Sequence, residues 1–174
     1  MRLKISIILL SFCLGLSLQA QKPEISFRIK NAGVFVEGAF DSIQVNQSFD
    51  PNDLTTATFS VSIPVSTIDT GIKSRDRHLL KPKYFDIENH QEIVFRSTRV
   101  TETESGYKLT GDLSIKSTTR SVDIDFTLES NGDLSFFKGY LELDRRDYGV
   151  GKNHLILGDL VRITIQVPVE KPRT

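Results

Sequence analysis

The sequence predicts an all-β, antiparallel domain of about eight strands with one short helix between its central strands. Three observations carry this. From Lys22 onward, apolar and polar residues alternate with period two in one short segment after another. Loop triplets bearing Gly or Asn separate the segments at hairpin spacing. A single stretch, Thr67 to Thr98, departs from the period. Period two puts one face of each strand in apolar surroundings and the other in water. Such strands pair antiparallel, because parallel strands covered on both faces read as unbroken apolar runs.

Residues 1–20 stand apart from that domain. Arg2 and Lys4 precede an apolar run from Ile5 to Leu18, and Ala20 offers a small residue before a cut. This is the three-part build of a secretory signal peptide, too short for a spanning helix. Export is therefore expected, with residues 21–174 as the mature domain. Cys13 is the only cysteine and leaves with the leader, so no disulfide is expected. Loss of Arg2 and Lys4 leaves 20 basic against 22 acidic residues, a net charge of −2. A protein built to hold a nucleic-acid backbone is normally far more basic, so that partner is not expected.

The strands then follow in order. Ile25, Phe27 and Ile29 alternate with Ser26, Arg28 and Lys30; Val34, Val36, Gly38 and Phe40 come next, then Ile43, Val45 and Phe49 less regularly. Ala57, Phe59, Val61, Ile63 and Val65 make one clean apolar face. After the helical stretch come Ile93 and Phe95, then Tyr107 to Ile115, Val122 to Leu128, Phe137 to Leu143, and Val161 to Val169. Asn31-Ala32-Gly33, Glu104-Ser105-Gly106 and Asn131-Gly132-Asp133 read as hairpin loops, with Gly or Asn available for positive φ.

The irregular stretch reads as about three turns of helix. Asp69 or Thr70 is placed to cap its start, and Pro82 stops it after Leu80. Ile72 and Leu79 share an apolar face flanked by Arg75 and Asp76, while Lys73, Arg77 and Lys81 form a basic stripe with Lys83 beyond. So many one-faced strands must pack as two sheets or close into a barrel, and an eight-stranded barrel can be filled or hold one ligand. Phe27, Phe40, Phe59, Phe95, Leu113 and Phe126 suit either interior.

Catalytic and metal chemistry have little to stand on. Asp86-x-Glu88-x-His90 has metal-ligand residue types, but the run lies in a polar loop without a further convergent ligand. His90 and His154 also fall in loops, and no nucleophile elbow occurs. No enzyme, metal or cofactor is expected.

The central stretch is more specific. Ile68-Asp69-Thr70-Gly71, Arg75-Asp76-x-His78-Leu79, Phe85-Asp86 and Ile93-x-Phe95-x-Ser97-Thr98 together resemble the signature of the YceI-like family of polyisoprenoid-binding proteins. Val36-x-Gly38-x-Phe40, Gly111 to Lys116 with Thr119-Arg120-x-Val122, and Arg145-x-Asp147-Tyr148-Gly149-Val150 extend the resemblance from about Glu24 to Val169. The chain departs from the family pattern at Asn31-Ala32-Gly33, where a His is frequent, and at Gln91, Ser117 and Ser121.

The resemblance implies a lipocalin-like barrel in the periplasm, carrying a long isoprenoid lipid or quinone inside. Its lining would be Phe27, Val36, Phe40, Phe59, Val61, Ile63, Leu79, Phe85, Phe95, Leu113, Ile115, Ile124, Phe126, Leu141, Ile163 and Ile165. Arg75, Asp76, His78 and Arg145 would form a polar rim or head-group site. For Arg75 the plainer reading is a pair with Asp76 that pins the helix to the rim; for Arg145 it is a structural turn. The basic stripe is either a solvated face or a transient contact with anionic lipid heads. The competing class is a structural or protein-interaction domain with a filled core.

Overall fold

The computed structural model describes residues 21–131, 134–153 and 155–169. The leader, Gly132 and Asp133 of the third hairpin loop, and His154 lie outside the described residues. The strands are β1 (Glu24–Asn31), β2 (Val34–Phe40), β3 (Gln44–Ser48), β4 (Thr58–Pro64), β5 (Ile68–Asp69), β6 (Glu92–Thr103), β7 (Gly106–Ile115), β8 (Thr118–Asn131), β9 (Leu134–Asp144) and β10 (Leu157–Pro168). The helix α1 spans Lys73–Leu79.

These strands form a single, strongly curled antiparallel sheet, in the order β3-β4-β6-β7-β8-β9-β10-β1-β2-β5. Ten strands replace the expected eight because two long paths are each broken once. Residues 34–48 run antiparallel to residues 58–69, with Ala39 opposite Asp69, Phe40 opposite Ile68, Gln44 opposite Ser62 and Ser48 opposite Thr58. Residues 41–43 interrupt the first path, and the 3₁₀ turn Val65–Thr67 interrupts the second. The Asp41 amide still donates to the Thr67 carbonyl across the gap, at 3.0 Å. Because β2 also pairs with β1 and β4 with β6, this bent hairpin joins the two ends of the sheet. The result is barrel-like.

Local chemistry fixes the curl. Between Ser97 and Arg99 the β6–β7 register slips by one residue beside Gly111, a bulge of the kind that bends and twists a sheet. A Cβ on Gly111 would lie 2.5 Å from the Arg96 carbonyl oxygen and 2.5 Å from the Phe95 ring, so only glycine allows that approach. At the β1–β2 turn, Ala32 and Gly33 both take positive φ, 49° and 85°, as a two-residue type I′ hairpin requires.

Most alternating faces point as expected. Phe59, Ile63, Phe95, Leu109, Leu113, Ile115, Ile124, Phe126 and Leu141 are buried inside the curl. Val34 and Leu128, which continue the pattern in the sequence, are exposed. Phe49, from the irregular segment after β3, packs edge-on against Tyr107, Phe126 and Phe137 at 5.1–5.9 Å, and Phe59 joins the same group. Such pairs contribute about 0.5–1.5 kcal/mol each beyond area burial, so this cluster is a firm floor at one end of the barrel.

Candidate functional site

The opposite end is built from the helix and two loops. Lys116, just past the end of β7, donates through Nζ to the Pro82 and Gly149 carbonyls at 3.2 Å each. The Gly151 amide donates to the Lys83 carbonyl at 2.9 Å, which joins the post-helix loop to the turn after β9. Tyr107 in the floor and Ile115 beneath this cap lie eight residues apart on β7, about 27 Å at ~3.4 Å per residue.

The helix has two turns, not three, and its start is not side-chain capped. Asp69 accepts from the Gly71 amide at 2.9 Å, which tightens the turn before the helix. Thr70 does not cap either; it is held by a residue inside the helix. Its amide and hydroxyl both donate to Asp76 Oδ1, at 2.9 and 2.5 Å. Its hydroxyl also accepts from Arg75 Nε at 2.7 Å, and its carbonyl accepts from Arg75 Nη2 at 2.5 Å. Arg75 and Asp76 are thus joined through Thr70 rather than by a direct ion pair.

The inward face of the helix is therefore Arg75, Asp76, Leu79 and Leu80, whereas Ile72 is half-exposed. Lys73, Arg77 and Lys81 are exposed. His78 also faces outward, with its ring 5.0 Å from that of Tyr84, and does not reach the interior. The Thr70 hydroxyl, more than any other group, holds the Asp76 carboxyl below its ordinary value. Burial opposes this, while the Thr70 amide, Lys73 and Arg75 act in the same direction as the hydroxyl. Asp76 Oδ2 is shielded from solvent and meets no hydrogen-bond donor among the described residues; the Lys73 ammonium lies 3.9 Å away.

Between cap and floor is a cavity of about 270 Å³ with an almost wholly apolar wall. The wall includes Phe27, Val36, Phe40, Phe59, Val61, Ile63, Phe95, Leu113, Ile115, Ile124, Phe126, Leu141, Ile163 and Ile165 from the strands. Leu79 and Phe85 enter from the cap. Several of these, such as Val36, Phe40, Val61 and Ile163, point inward yet remain only half-buried, because their inner surface faces empty space. A filled core would cover them.

Sequence reasoning missed other wall residues. Ile25 and Ile29 sit on the same face as Phe27 and could have been found by alternation; Val45 was hidden in the irregular segment. Asn31, Thr70 and Tyr84 carry no apolar signal.

Arg75 and Arg145 both border the cavity but differ in what their guanidinium groups can do. Arg145 is 4% exposed and donates through Nε to Gly158 O, through Nη1 to Val150 O and Lys152 O, and through Nη2 to Lys152 O and Asp159 Oδ1. These bonds use all five N–H groups of the side chain. Arg145 therefore fastens the turn after β9 to the start of β10 and has no donor left for a head group. Arg75 uses only Nε and one Nη2 proton, so Nη1 has no acceptor among the described residues. Among the described residues no three His, Cys, Asp or Glu side chains converge as metal ligands would.

Comparison with known proteins agrees with this architecture. The chain is similar to a UPF0312 protein of Serratia proteamaculans, 29% identical over 139 residues, or 76% of this chain and 72% of that protein. It is also similar to a UPF0312 protein of Pectobacterium atrosepticum, 29% identical over 116 residues, and spans 60% of that relative's length. Its fold matches the crystal structure of Burkholderia cenocepacia BcnA with a TM-score of 0.80 at 25% identity, over 85% of this chain and 96% of that one. A polyisoprenoid binding domain from Saccharophagus degradans shares the fold with a TM-score of 0.67 at 13% identity, over 86% and 94% of the two chains. The model of the YceI-like domain matches residues 16–169. The chain belongs to the YceI-like family.

Proposed function

We propose that the protein is an exported carrier that sequesters a long apolar ligand, a polyisoprenoid lipid or isoprenoid quinone, inside the barrel. The observation that carries this reading is the apolar cavity inside the curl, floored at one end by the Phe49 cluster and bordered at the other by Arg75. An apolar chain needs no polar partner to bind there. Each methylene removed from water contributes ~0.8 kcal/mol, so about ten give ~8 kcal/mol, roughly micromolar before binding costs are subtracted. The description of the Saccharophagus degradans domain as polyisoprenoid binding supports an isoprenoid tail in particular.

The ligand enters tail first, and its polar head stays at the cap, where Arg75 Nη1 is available. Transfer is by sequestration, without a covalent step. The apolar leader of residues 1–20 supports action in the periplasm. Organic extraction of the protein purified from its native host, followed by mass spectrometry, tests the reading. A co-purifying isoprenoid lipid or quinone is expected. Protein that extracts empty and takes up no long-chain isoprenoid supplied to it would return the fold to the structural class.

A further inference from the structure

We infer that the cap end of the barrel docks on an anionic phospholipid bilayer through an apolar rim, formed by the β1–β2 hairpin and the segment leading into β10. The inference deepens the carrier reading by naming the surface through which the ligand is loaded.

The rim is contiguous. Val34 is 69% exposed at the hairpin and Leu155 is fully exposed at the segment, with Phe35 and Leu160 beside them. The Ala32 amide donates to the Ile156 carbonyl at 2.7 Å, which ties the two tips together. Phe35 and Leu160 flank one shallow groove. Large aliphatic side chains left in water at adjoining turn tips mark an interaction surface rather than a packing remnant.

The rim also adjoins the cavity. Asn31 faces Val34 across β1–β2 and Leu157 across β1–β10, and both Asn31 and Leu157 lie on the cavity wall. A tail drawn from a bilayer touching Val34 and Leu155 would reach the cavity without crossing bulk water.

Charge selects the occupant. Lys30 lines the groove, Lys152 stands three residues before Leu155, and the Lys83 carbonyl accepts from the Gly151 amide of the same segment. None of these lysines has a carboxylate partner among the described residues. Of the nearby acids, Asp144 pairs with Arg146, Asp159 with Arg145 and Arg146, and Glu142 with Arg162, while Glu37, two residues past Phe35, lies opposite Arg28 of β1. Aliphatic tips ringed by uncompensated lysines fit lipid head groups over acyl chains. A two-fold contact with a second copy would instead set these lysines against themselves.

The test uses the chain from Gln21, which contains every strand of the barrel, with vesicles of phosphatidylcholine alone or mixed with phosphatidylglycerol. Partition onto the mixed vesicles should exceed that onto the neutral ones by at least tenfold and fall with added salt. Val34→Asp with Leu155→Asp should lose at least tenfold, and so should the milder pair Lys30→Gln and Lys152→Gln. Leu128→Asp, at an exposed position on the floor end of β8, should bind like the parent. Uptake of N-phenyl-1-naphthylamine added from ethanol is measured in parallel. Normal dye uptake by the rim variants, with vesicle binding lost, supports docking. Parent protein that stays off both vesicles, rim variants that bind as well as the parent, or a dimer abolished by the rim substitutions would each overturn it. Failure of dye uptake in the parent would count against the carrier reading alone.

Discussion

The Thr70 hydroxyl lies 2.5 Å from Asp76 Oδ1, and this contact fastens α1 to the barrel. Thr70 follows directly on the second long strand path, while Asp76 is in the middle of α1. The same hydroxyl accepts from Arg75, so one oxygen positions both charged residues of the inward face. Thr70→Val should lower the unfolding midpoint and release Arg75, whereas Thr70→Ser should restore both. Thermal denaturation alongside ligand titration separates the two variants.

Acid should loosen the same joint. The Asp76 carboxyl is held below its ordinary 3.8, and such a group adds stability that is fully present above the unfolded value. That stability is lost as pH falls through the depressed folded value. Asp144, held down chiefly by Arg146, contributes in the same direction. Stability should therefore be flat from neutral pH to about 5 and fall below about 4. In Thr70→Val the Asp76 titration, followed by carboxyl-carbon NMR, should move upward. An unchanged titration would mean that Thr70 is not its principal partner.

The strands were legible because alternation is a direct record of one covered face. Phe59, Val61 and Ile63, or Leu109, Leu113 and Ile115, needed no other signal. The helix was not legible in the same way. Its covered face begins with Arg75 and Asp76, which hydropathy places outside, and Ile72, which hydropathy places inside, is half in water. The full engagement of Arg145 was not legible, because four of the five hydrogen bonds it donates end on backbone carbonyls, which have no sequence signature. Arg75 remains the proposed head-group contact, because its bonds among the described residues engage only Nε and Nη2.

Cavity and floor should respond in opposite ways to added volume. Ile163 faces the cavity and is half-buried, so Ile163→Trp should fill space and weaken a long-chain ligand by more than tenfold, with little loss of stability. Phe126 borders the cavity but also packs against Phe49, Phe59, Tyr107 and Phe137. Phe126→Trp should overpack that cluster and cost ~1–3 kcal/mol. Denaturant unfolding of the two variants checks the contrast.

Two glycines should rank by what their missing Cβ would meet. At Gly111 it would strike a sheet carbonyl at 2.5 Å as well as the Phe95 ring. At Gly38 the closest atom, also at 2.5 Å, is the far end of the Phe27 ring, with the Asp69 carbonyl oxygen at 3.0 Å. A ring can swing toward the cavity more easily than a paired strand can move. Gly111→Ala should therefore destabilise more than Gly38→Ala, and Gly38→Ala should cost ligand affinity by pushing Phe27 inward. Equal losses of stability with affinity unchanged would refute the ranking.

Arg75 gives the sharpest test of head-group recognition. Its Nε and Nη2 are held by Thr70, its side chain lines the cavity, and its Nη1 has no acceptor among the described residues. A charge-assisted hydrogen bond from Nη1 to a phosphate contributes roughly 1.5–3 kcal/mol in favourable geometry. Arg75→Gln should then weaken a phosphorylated polyprenol by about tenfold or more, and leave an uncharged alcohol or quinone with the same tail nearly unaffected. If Arg75 serves only to brace Thr70, both ligands should weaken together and the unfolding midpoint should fall. Paired titrations of the charged and neutral ligands, with denaturation curves for both proteins, distinguish these outcomes. Equal losses with a lowered midpoint would leave Arg75 as a brace.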